Sequence, residues 1–122
     1  MQRKLSNRLM RWSEAWQSLD PERVGEVYAT DAVHESAAVK RLFPQNRDGR
    51  LAGREAIKEL AKAAAARFRA LRFEPLTATE TESASVFEYR RVTDNDETSA
   101  IKVCEVIQWR GDEVVESRVY HA

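Results

Sequence analysis

Residues 98–122 constrain the fold most strongly, because they predict two long β-strands joined by a tight turn. Gly111 and Asp112 occupy the turn between segments rich in β-branched residues. Side chains alternate between the two faces of a strand, which places one apolar row on a single face: Ile101, Val103, Ile107 and Trp109. Glu105 falls in the middle of this row. A carboxylate among apolar neighbours is costly, so this position needs an explanation.

Two interpretations of Glu105 are open. In the first, its side chain faces an apolar pocket, where burial would raise its pKa and suit it to proton transfer or hydrogen-bond donation. In the second, a two-residue turn at Gly111 and Asp112 places Arg118 directly opposite Glu105, and the two residues form a structural ion pair.

Three helices are predicted from apolar spacing. The first covers residues 5–19 and carries a stripe with spacings of four and three, formed by Leu5, Leu9, Trp12, Trp16 and Leu19. Asp20 and Pro21 then begin a short second helix, whose apolar side is Val24, Val27 and Tyr28. The third helix begins at Gly53, ends before Pro75, and has on one side Ile57, Leu60, Ala61, Ala64 and Phe68.

The remaining segments predict strands and one long loop. Residues 32–39 alternate as a short strand, with His34 and Ser36 on the same face. Residues 40–52 predict a loop that could form a rim or lid. Residues 71–81 and 84–93 predict two strands before the hairpin. This order predicts an α+β domain with helices on one face of a mainly antiparallel sheet.

Composition limits the class of protein. A chain of 122 residues fits one domain, and its 20 basic and 20 acidic side chains cancel, so we expect neither nucleic acid nor a membrane as a partner. The single cysteine, Cys104, cannot form an internal disulfide and indicates a reducing compartment such as the cytoplasm. The N-terminal residues lack the apolar core of a signal peptide.

Neither a metal nor another cofactor is expected. The two histidines and the cysteine lack ligand spacing, and the four glycines form no phosphate-binding loop. Arg67, Arg69 and Arg72 lie near a helix end and predict a solvated surface.

Four segments carry a family resemblance: the aromatic first helix before Leu19, residues 28–33, residues 53–57, and the closing pattern Gly-x-x-Val-Val-Glu-x-Arg-x-Tyr from Gly111. Together they resemble the nuclear transport factor 2-like superfamily, in particular its SnoaL-like polyketide-cyclase and ketosteroid-isomerase-like branch. The resemblance covers nearly the whole chain. It implies an α+β roll, in which three helices wrap a cone-shaped curved sheet around a ligand pocket, commonly in a homodimer. Members catalyse several reactions or none that is known, so the fold does not fix the function.

The family's catalytic positions differ in this chain. The resemblance implies that the tyrosine, the protonated aspartate and the basic aspartate of the steroid isomerases correspond to Trp12, Glu105 and Ser36. The aspartate that cyclases and epoxide hydrolases place on the last strand corresponds to Val119. Since only Glu105 keeps an acid, none of these mechanisms transfers. The resemblance also suggests a β-bulge near residues 114 and 115, which would turn Glu105 toward the pocket.

The candidate catalytic residues are Glu105, His34 and Tyr89. His34 suits proton transfer near neutral pH, or it is a satisfied polar residue at the pocket mouth. Tyr89 could offer a phenol, or it is a core aromatic. His121 is expected to be peripheral. The predicted ligand-binding residues are Trp12, Trp16, Ser36, Val103, Ser117 and Val119.

Three functions fit such a pocket. The favoured one is a cofactor-independent isomerase-, cyclase- or hydrolase-type enzyme, which uses Glu105 with His34 or Tyr89 on a small, largely apolar molecule. The alternatives are a non-catalytic ligand-binding module and an interaction domain whose function lies in its dimer.

A homodimer is predicted to form through the outer face of the sheet. There Cys104 and Val106, opposite Val115 and Val119, would make a second apolar row that helices on one face cannot cover.

Overall fold

The computed structural model of the protein describes residues 5–121. The helices of this part of the chain are α1 (Asn7–Gln17), α2 (Pro21–Val27), α3 (Ala37–Leu42) and α4 (Arg54–Arg67). The strands are β1 (Tyr28–Glu35), β2 (Arg50–Ala52), β3 (Leu71–Glu80), β4 (Ala84–Thr93), β5 (Asp96–Arg110) and β6 (Glu113–His121).

The six strands form one curled, unclosed sheet in the order β2-β1-β6-β5-β4-β3. Neighbouring strands are antiparallel except β1 and β6, which pair in parallel. The helices pack on the inner face, where α1 contacts β3 and α4 contacts β1. The predicted α+β class and mainly antiparallel sheet are confirmed, and α3 adds a short fourth helix to the three predicted.

Helix α1 is fixed at both ends by local contacts. The Ser6 hydroxyl accepts a hydrogen bond from the Leu9 N–H at the N-cap, which satisfies a donor that the first turn leaves free. The helix ends at Gln17, and Leu19 has a left-handed φ of 57°. The predicted extension of the helix to Leu19 is therefore wrong, because this conformation cannot continue a right-handed helix.

The segment between α2 and α4 differs most from its prediction. Tyr28 begins β1 instead of belonging to the second helix, and β1 ends at Glu35, short of the predicted residue 39. At Ser36 the N–H donates to the Gly49 carbonyl and the carbonyl accepts from the Val39 N–H, which begins α3. The predicted loop 40–52 therefore contains the end of α3 and strand β2.

A β-bulge sets the register of the C-terminal hairpin. Trp109 pairs with Val114 as a two-residue turn requires, but Gln108 pairs with Glu116, which leaves Val115 as an extra residue. Glu105 consequently lies beside Val119.

The ion-pair interpretation of Glu105 is wrong in this register. Arg118 lies beside Val106 on the outer face, where its guanidinium pairs with Glu116. Val119, predicted to lie on the outer face, instead shares the inner face with Glu105.

No helix within residues 5–121 is long and apolar enough to cross a membrane.

Candidate functional site

A cavity of about 160 Å³ lies between the inner face of the sheet and helices α1, α3 and α4. A buried apolar cavity of about 150 Å³ is known to accommodate benzene, so this space suits a ligand with a single ring. Its floor is mostly aromatic and aliphatic, formed by Trp12, Trp16, Leu60, Phe73, Tyr89, Val103 and Val119. Its mouth is formed by side chains that reach solvent: Arg41, Leu42, Arg67 and His121.

Glu105 is the one acidic residue in the cavity wall, and only 3% of its surface is exposed. The Tyr89 hydroxyl donates a hydrogen bond of 2.8 Å to Glu105 Oε1. Burial raises the pKa of Glu105 to about 8, although the Tyr89 hydrogen bond and the charge of Arg91 act in the opposite direction. At neutral pH most molecules therefore carry a protonated Glu105, which still ionises close to that pH.

His34 lies on β1 and is fixed by a buried hydrogen-bond network. The indole N–H groups of Trp12 and Trp16 both lie 3.1 Å from the Tyr28 hydroxyl oxygen and donate to it. The Tyr28 oxygen lies 3.2 Å from Ser117 Oγ, which lies 2.7 Å from His34 Nδ1. The network thus connects α1, β1 and β6 behind the cavity wall.

The donors and acceptors available in this network determine the direction of each hydrogen bond. Tyr28 accepts two indole N–H groups and so uses both oxygen lone pairs, which means that its own hydrogen goes to Ser117. Ser117 then donates to His34 Nδ1, since no other acceptor within residues 5–121 bonds to its hydroxyl. A neutral His34 must in consequence carry its hydrogen on Nε2.

Burial keeps His34 neutral. It lowers the pKa of the imidazole to about 4, because the charged form would lose its hydration. The ring lines the cavity, and therefore its Nε2–H group is a neutral donor for a ligand.

Two buried polar atoms of the cavity-lining residues have no hydrogen-bond partner within the described part of the chain. They are the Nε of Arg91, on β4, and the hydroxyl oxygen of Ser36, which precedes α3. Buried polar atoms are usually paired, so these two atoms are exceptions among the residues that line the cavity.

The structure places most of the predicted site residues around one cavity. Eight of them line it: Glu105, His34, Tyr89, Trp12, Trp16, Ser36, Val103 and Val119. Ser117 does not line it but lies behind His34 as part of the hydrogen-bond network. His121 lies at the cavity mouth.

Three arginines of the cavity were not predicted from the sequence as site residues: Arg41, Arg67 and Arg91. Arg91 follows Tyr89 by two residues on the same strand, so the alternation of β4 could have identified it. Arg67 was predicted to lie on a solvated surface; it is exposed, but it also borders the cavity. Arg41 lies in the part of α3 that was predicted as loop.

In residues 5–121 no group of three His, Cys, Asp or Glu side chains is placed to hold a metal ion. The cavity lining itself brings together a buried carboxyl group and a neutral imidazole, the side chains on which acid–base chemistry depends.

Comparison with known proteins agrees with this architecture. The family model of the SnoaL-like domain matches residues 9–117. A SnoaL-like protein of unknown function from Burkholderia thailandensis superposes with a TM-score of 0.77 at 21% identity, covering 93% of this chain and 89% of that chain. No curated protein matches the sequence.

Two further structures share the fold. A putative polyketide cyclase from Sinorhizobium meliloti superposes with a TM-score of 0.75 at 17% identity, covering 95% of each chain. A protein from Catenulispora acidiphila with a ketosteroid isomerase-like fold, in complex with trimethylamine, gives 0.76 at 17% identity, covering 98% of this chain and 88% of that chain. Identities this low show the fold alone, whereas the family model spans most of the sequence. The chain therefore belongs to the SnoaL-like domain family.

Proposed function

We propose that this protein is a cofactor-independent enzyme that moves a proton at a carbon atom next to a carbonyl group of a small molecule. In this proposal Glu105 removes and returns the proton, while His34 holds the carbonyl oxygen. The observation that carries the proposal is the buried Glu105, with a pKa of about 8, in the same cavity wall as a neutral His34.

The pKa of Glu105 suits a proton carrier. A carboxylate with a pKa near 8 is a stronger base than an ordinary carboxylate, and a catalytic group works best when its pKa lies near the working pH. Ionised Glu105 would take the proton from carbon, and the electron pair of the broken C–H bond would move onto the carbonyl oxygen as an enolate. Where a C=C bond adjoins that carbon, the enolate is a dienolate, and Glu105 would return the proton to its far carbon while the carbonyl group re-forms, which gives the conjugated ketone. This isomerisation is balanced without a second reactant.

His34 supplies the group that such an enolate requires. A neutral Nε2–H donor, held by Ser117 on the opposite ring nitrogen, can donate to the developing negative oxygen without exchanging its own proton. Strand β6 lies between the strands that carry His34 and Glu105, so about 10 Å of sheet separates the two backbones. This separation leaves room for a small substrate between the two side chains.

The experiment is exchange of carbon-bound hydrogen for deuterium, followed by proton NMR on a panel of small cyclic and aromatic ketones in D₂O. We expect the wild-type protein to catalyse the exchange with at least one of these ketones. Glu105→Gln should lower the rate by about a hundredfold or more, because the amide cannot accept the proton.

The pH dependence of kcat/KM tests which form of Glu105 is active. Since the ionised form of Glu105 is the base, kcat/KM should rise with pH and level off above about 8. An unchanged rate in Glu105→Gln would contradict the proposal. Arg23→Gln, a change of an exposed residue on α2, is the matched control and should leave the rate unaltered.

A non-catalytic binding module is the second candidate. It is favoured by Ser36, which stands where the steroid isomerases have their basic aspartate, and by the trimethylamine complex of the Catenulispora acidiphila relative. Saturable binding of a ketone without any exchange would support this alternative.

A further inference from the structure

We propose that the cavity binds a small organic carboxylate, with its ring on the aromatic floor and its anionic group between Arg91 and the arginines of the mouth. This inference names the substrate class of the proposed enzyme. It rests on the proposed function only in taking the bound carboxylate to be the molecule that reacts.

The charges around the cavity are strongly asymmetric, although those of the whole chain cancel. Three guanidinium groups border the cavity, on Arg41, Arg67 and Arg91, and the wall's single acid is Glu105. Because Glu105 is mostly protonated at neutral pH, it does not offset these cations. The cavity therefore attracts anions more strongly than the neutral chain as a whole would indicate.

Arg91 is the residue that most clearly requires a ligand. It is partly buried, its Nε has no hydrogen-bond partner within residues 5–121, and no described carboxylate lies within ion-pair distance of it. Burial lowers the pKa of Arg91, and repulsion from Arg41 and Arg67 acts in the same direction, whereas Tyr89 and Glu105 oppose it. A carboxylate would accept hydrogen bonds from the guanidinium and relieve this repulsion.

Glu105 does not act as an ion-pair partner of Arg91. Its Oε1 accepts the hydroxyl hydrogen of Tyr89, and its carboxyl group forms no ion pair within the described residues. Three arginines of the outer face differ in this respect, because Arg72, Arg90 and Arg118 each pair with a glutamate. Arg91 therefore differs from its neighbours in lacking an anion.

Ser36 adds a second polar atom without a partner to the lining of the cavity. Its hydroxyl oxygen is buried without a partner, and it makes no capping hydrogen bond to α3 although it stands at the N-cap. Both described buried side-chain atoms that lack a partner thus belong to this cavity.

The rest of the cavity limits the size and polarity of the ligand. Trp12, Phe73 and Val103 present apolar surface, and the volume of about 160 Å³ accommodates about one ring. The relative bound to trimethylamine holds an amine, which is protonated at neutral pH. Three arginines make this cavity unfavourable for such a cation.

The experiment compares phenylacetate with phenylacetamide, which have the same shape but differ in charge, by isothermal titration calorimetry at pH 7. We expect phenylacetate to bind at least about tenfold more tightly than the amide. Arg91→Gln should weaken phenylacetate binding by about tenfold or more and leave the amide unchanged. The exposed Arg67→Gln should weaken it by a few fold, and the control Arg23→Gln should have no effect.

Each result decides the question. Equal binding of the two compounds, an unchanged affinity in Arg91→Gln, or no binding of phenylacetate at millimolar concentration would overturn the inference. If Arg91→Gln does not fold, the same comparison with Arg67→Gln and Arg41→Gln remains, because both side chains are exposed.

Binding and catalysis can fail separately. Calorimetry needs no turnover, so tight binding of the carboxylate without hydrogen exchange would contradict the proposed enzyme and leave the carboxylate site in place. Hydrogen exchange on neutral ketones, together with no preference for phenylacetate in binding, would support the proposed enzyme and contradict the carboxylate site.

Discussion

Glu105 and His34 are buried titratable residues whose charged forms both oppose folding, but at opposite ends of the pH range. The folded pKa of Glu105, about 8, lies above its unfolded value of 4.5, so its contribution to stability is greatest at low pH and is lost as pH rises from 4.5 to 8. The folded pKa of His34, about 4, lies below 6.5, so its contribution is lost as pH falls from 6.5 to 4. Between pH 4.5 and 6.5 the two effects cancel.

Glu105→Gln tests this balance. The amide keeps the shape and an acceptor for the Tyr89 hydroxyl, but it cannot ionise. We expect the free energy of unfolding of the variant, relative to wild type, to increase by about 4 kcal/mol between pH 4.5 and 8. Urea denaturation of both proteins across this range measures the difference, in which the contributions of the exposed acids cancel.

The opposite pH dependence of the stability difference would contradict this interpretation of Glu105. If the amide is least stable relative to wild type at pH 8 and recovers toward pH 4.5, Glu105 is ionised and stabilising in the folded protein, and its assignment as a buried acid is wrong.

At the scale of elements, the bulge at Val115 decides which residues of β6 face the cavity. It places Ser117 and Val119 on the inner face and Arg118 on the outer face. If Val115 paired with Gln108, without a bulge, every later residue of β6 would shift by one position, and a one-residue shift moves every side chain to the other face.

Deletion of Val115 should therefore preserve the facing of the strand, because Glu116 already pairs with Gln108 and would then follow Val114 directly. We expect a loss of at most about 2 kcal/mol in the free energy of unfolding, from the contacts of the half-buried Val115, since Ser117 keeps its buried hydrogen bonds with Tyr28 and His34. Thermal and urea unfolding measure the loss.

A matched control changes the chain length nearby. Deletion of Arg118, which pairs with Val106, should cost far more, because it places Val119 on the outer face and Tyr120 beside Glu105. Similar losses in the two variants would show that the bulge does not determine the register.

The sequence predicted the elements that depend on local signals. Residues 84–93, the hairpin and the long third helix follow from alternation, turn residues and apolar spacing, and the structure confirms them. The sequence did not predict α3. The alternating pattern of β1 continues to Glu35, and Ala37, where the helix begins, is compatible with a strand as well as with a helix.

Features that depend on pairing between distant segments could not be predicted from the sequence. The parallel contact of His34 with Ser117 joins strands 83 residues apart in sequence, and no local pattern encodes it. The arginines around the cavity were missed for the same reason. Arg41 and Arg91 come together only after α3 and β4 have packed on the same cavity.

At the scale of the molecule, the outer face of the sheet has no helix over it among the described residues. Its apolar side chains include Val86 and Tyr120, which are 39% and 51% exposed, and Cys104 and Val106 lie beside them. The predicted homodimer through this face stays a prediction. In the observed register, Tyr120 and Arg118 take the places that were expected for Val119 and Val115.

We expect the protein to be a dimer at micromolar concentration, and Tyr120→Glu to shift it to monomer by placing a charge in the apolar contact. Sedimentation velocity measures both species. Met10→Glu, at a similarly exposed apolar residue on α1, is the control and should remain dimeric. A wild-type monomer, or a dimer that Tyr120→Glu leaves intact, would contradict this prediction.

Strand β6 occupies the middle of the sheet although it is the last of the six strands in the chain. It pairs on one side with β1 and on the other with β5, so it alone joins the β2-β1 pair to the three strands β5-β4-β3. During synthesis these two parts have no strand between them until β6 leaves the ribosome. The wall of the cavity, with His34 on one part and Glu105 on the other, therefore cannot form cotranslationally from the earlier segments, and a chain cut before Glu113 would contain both residues without bringing them together.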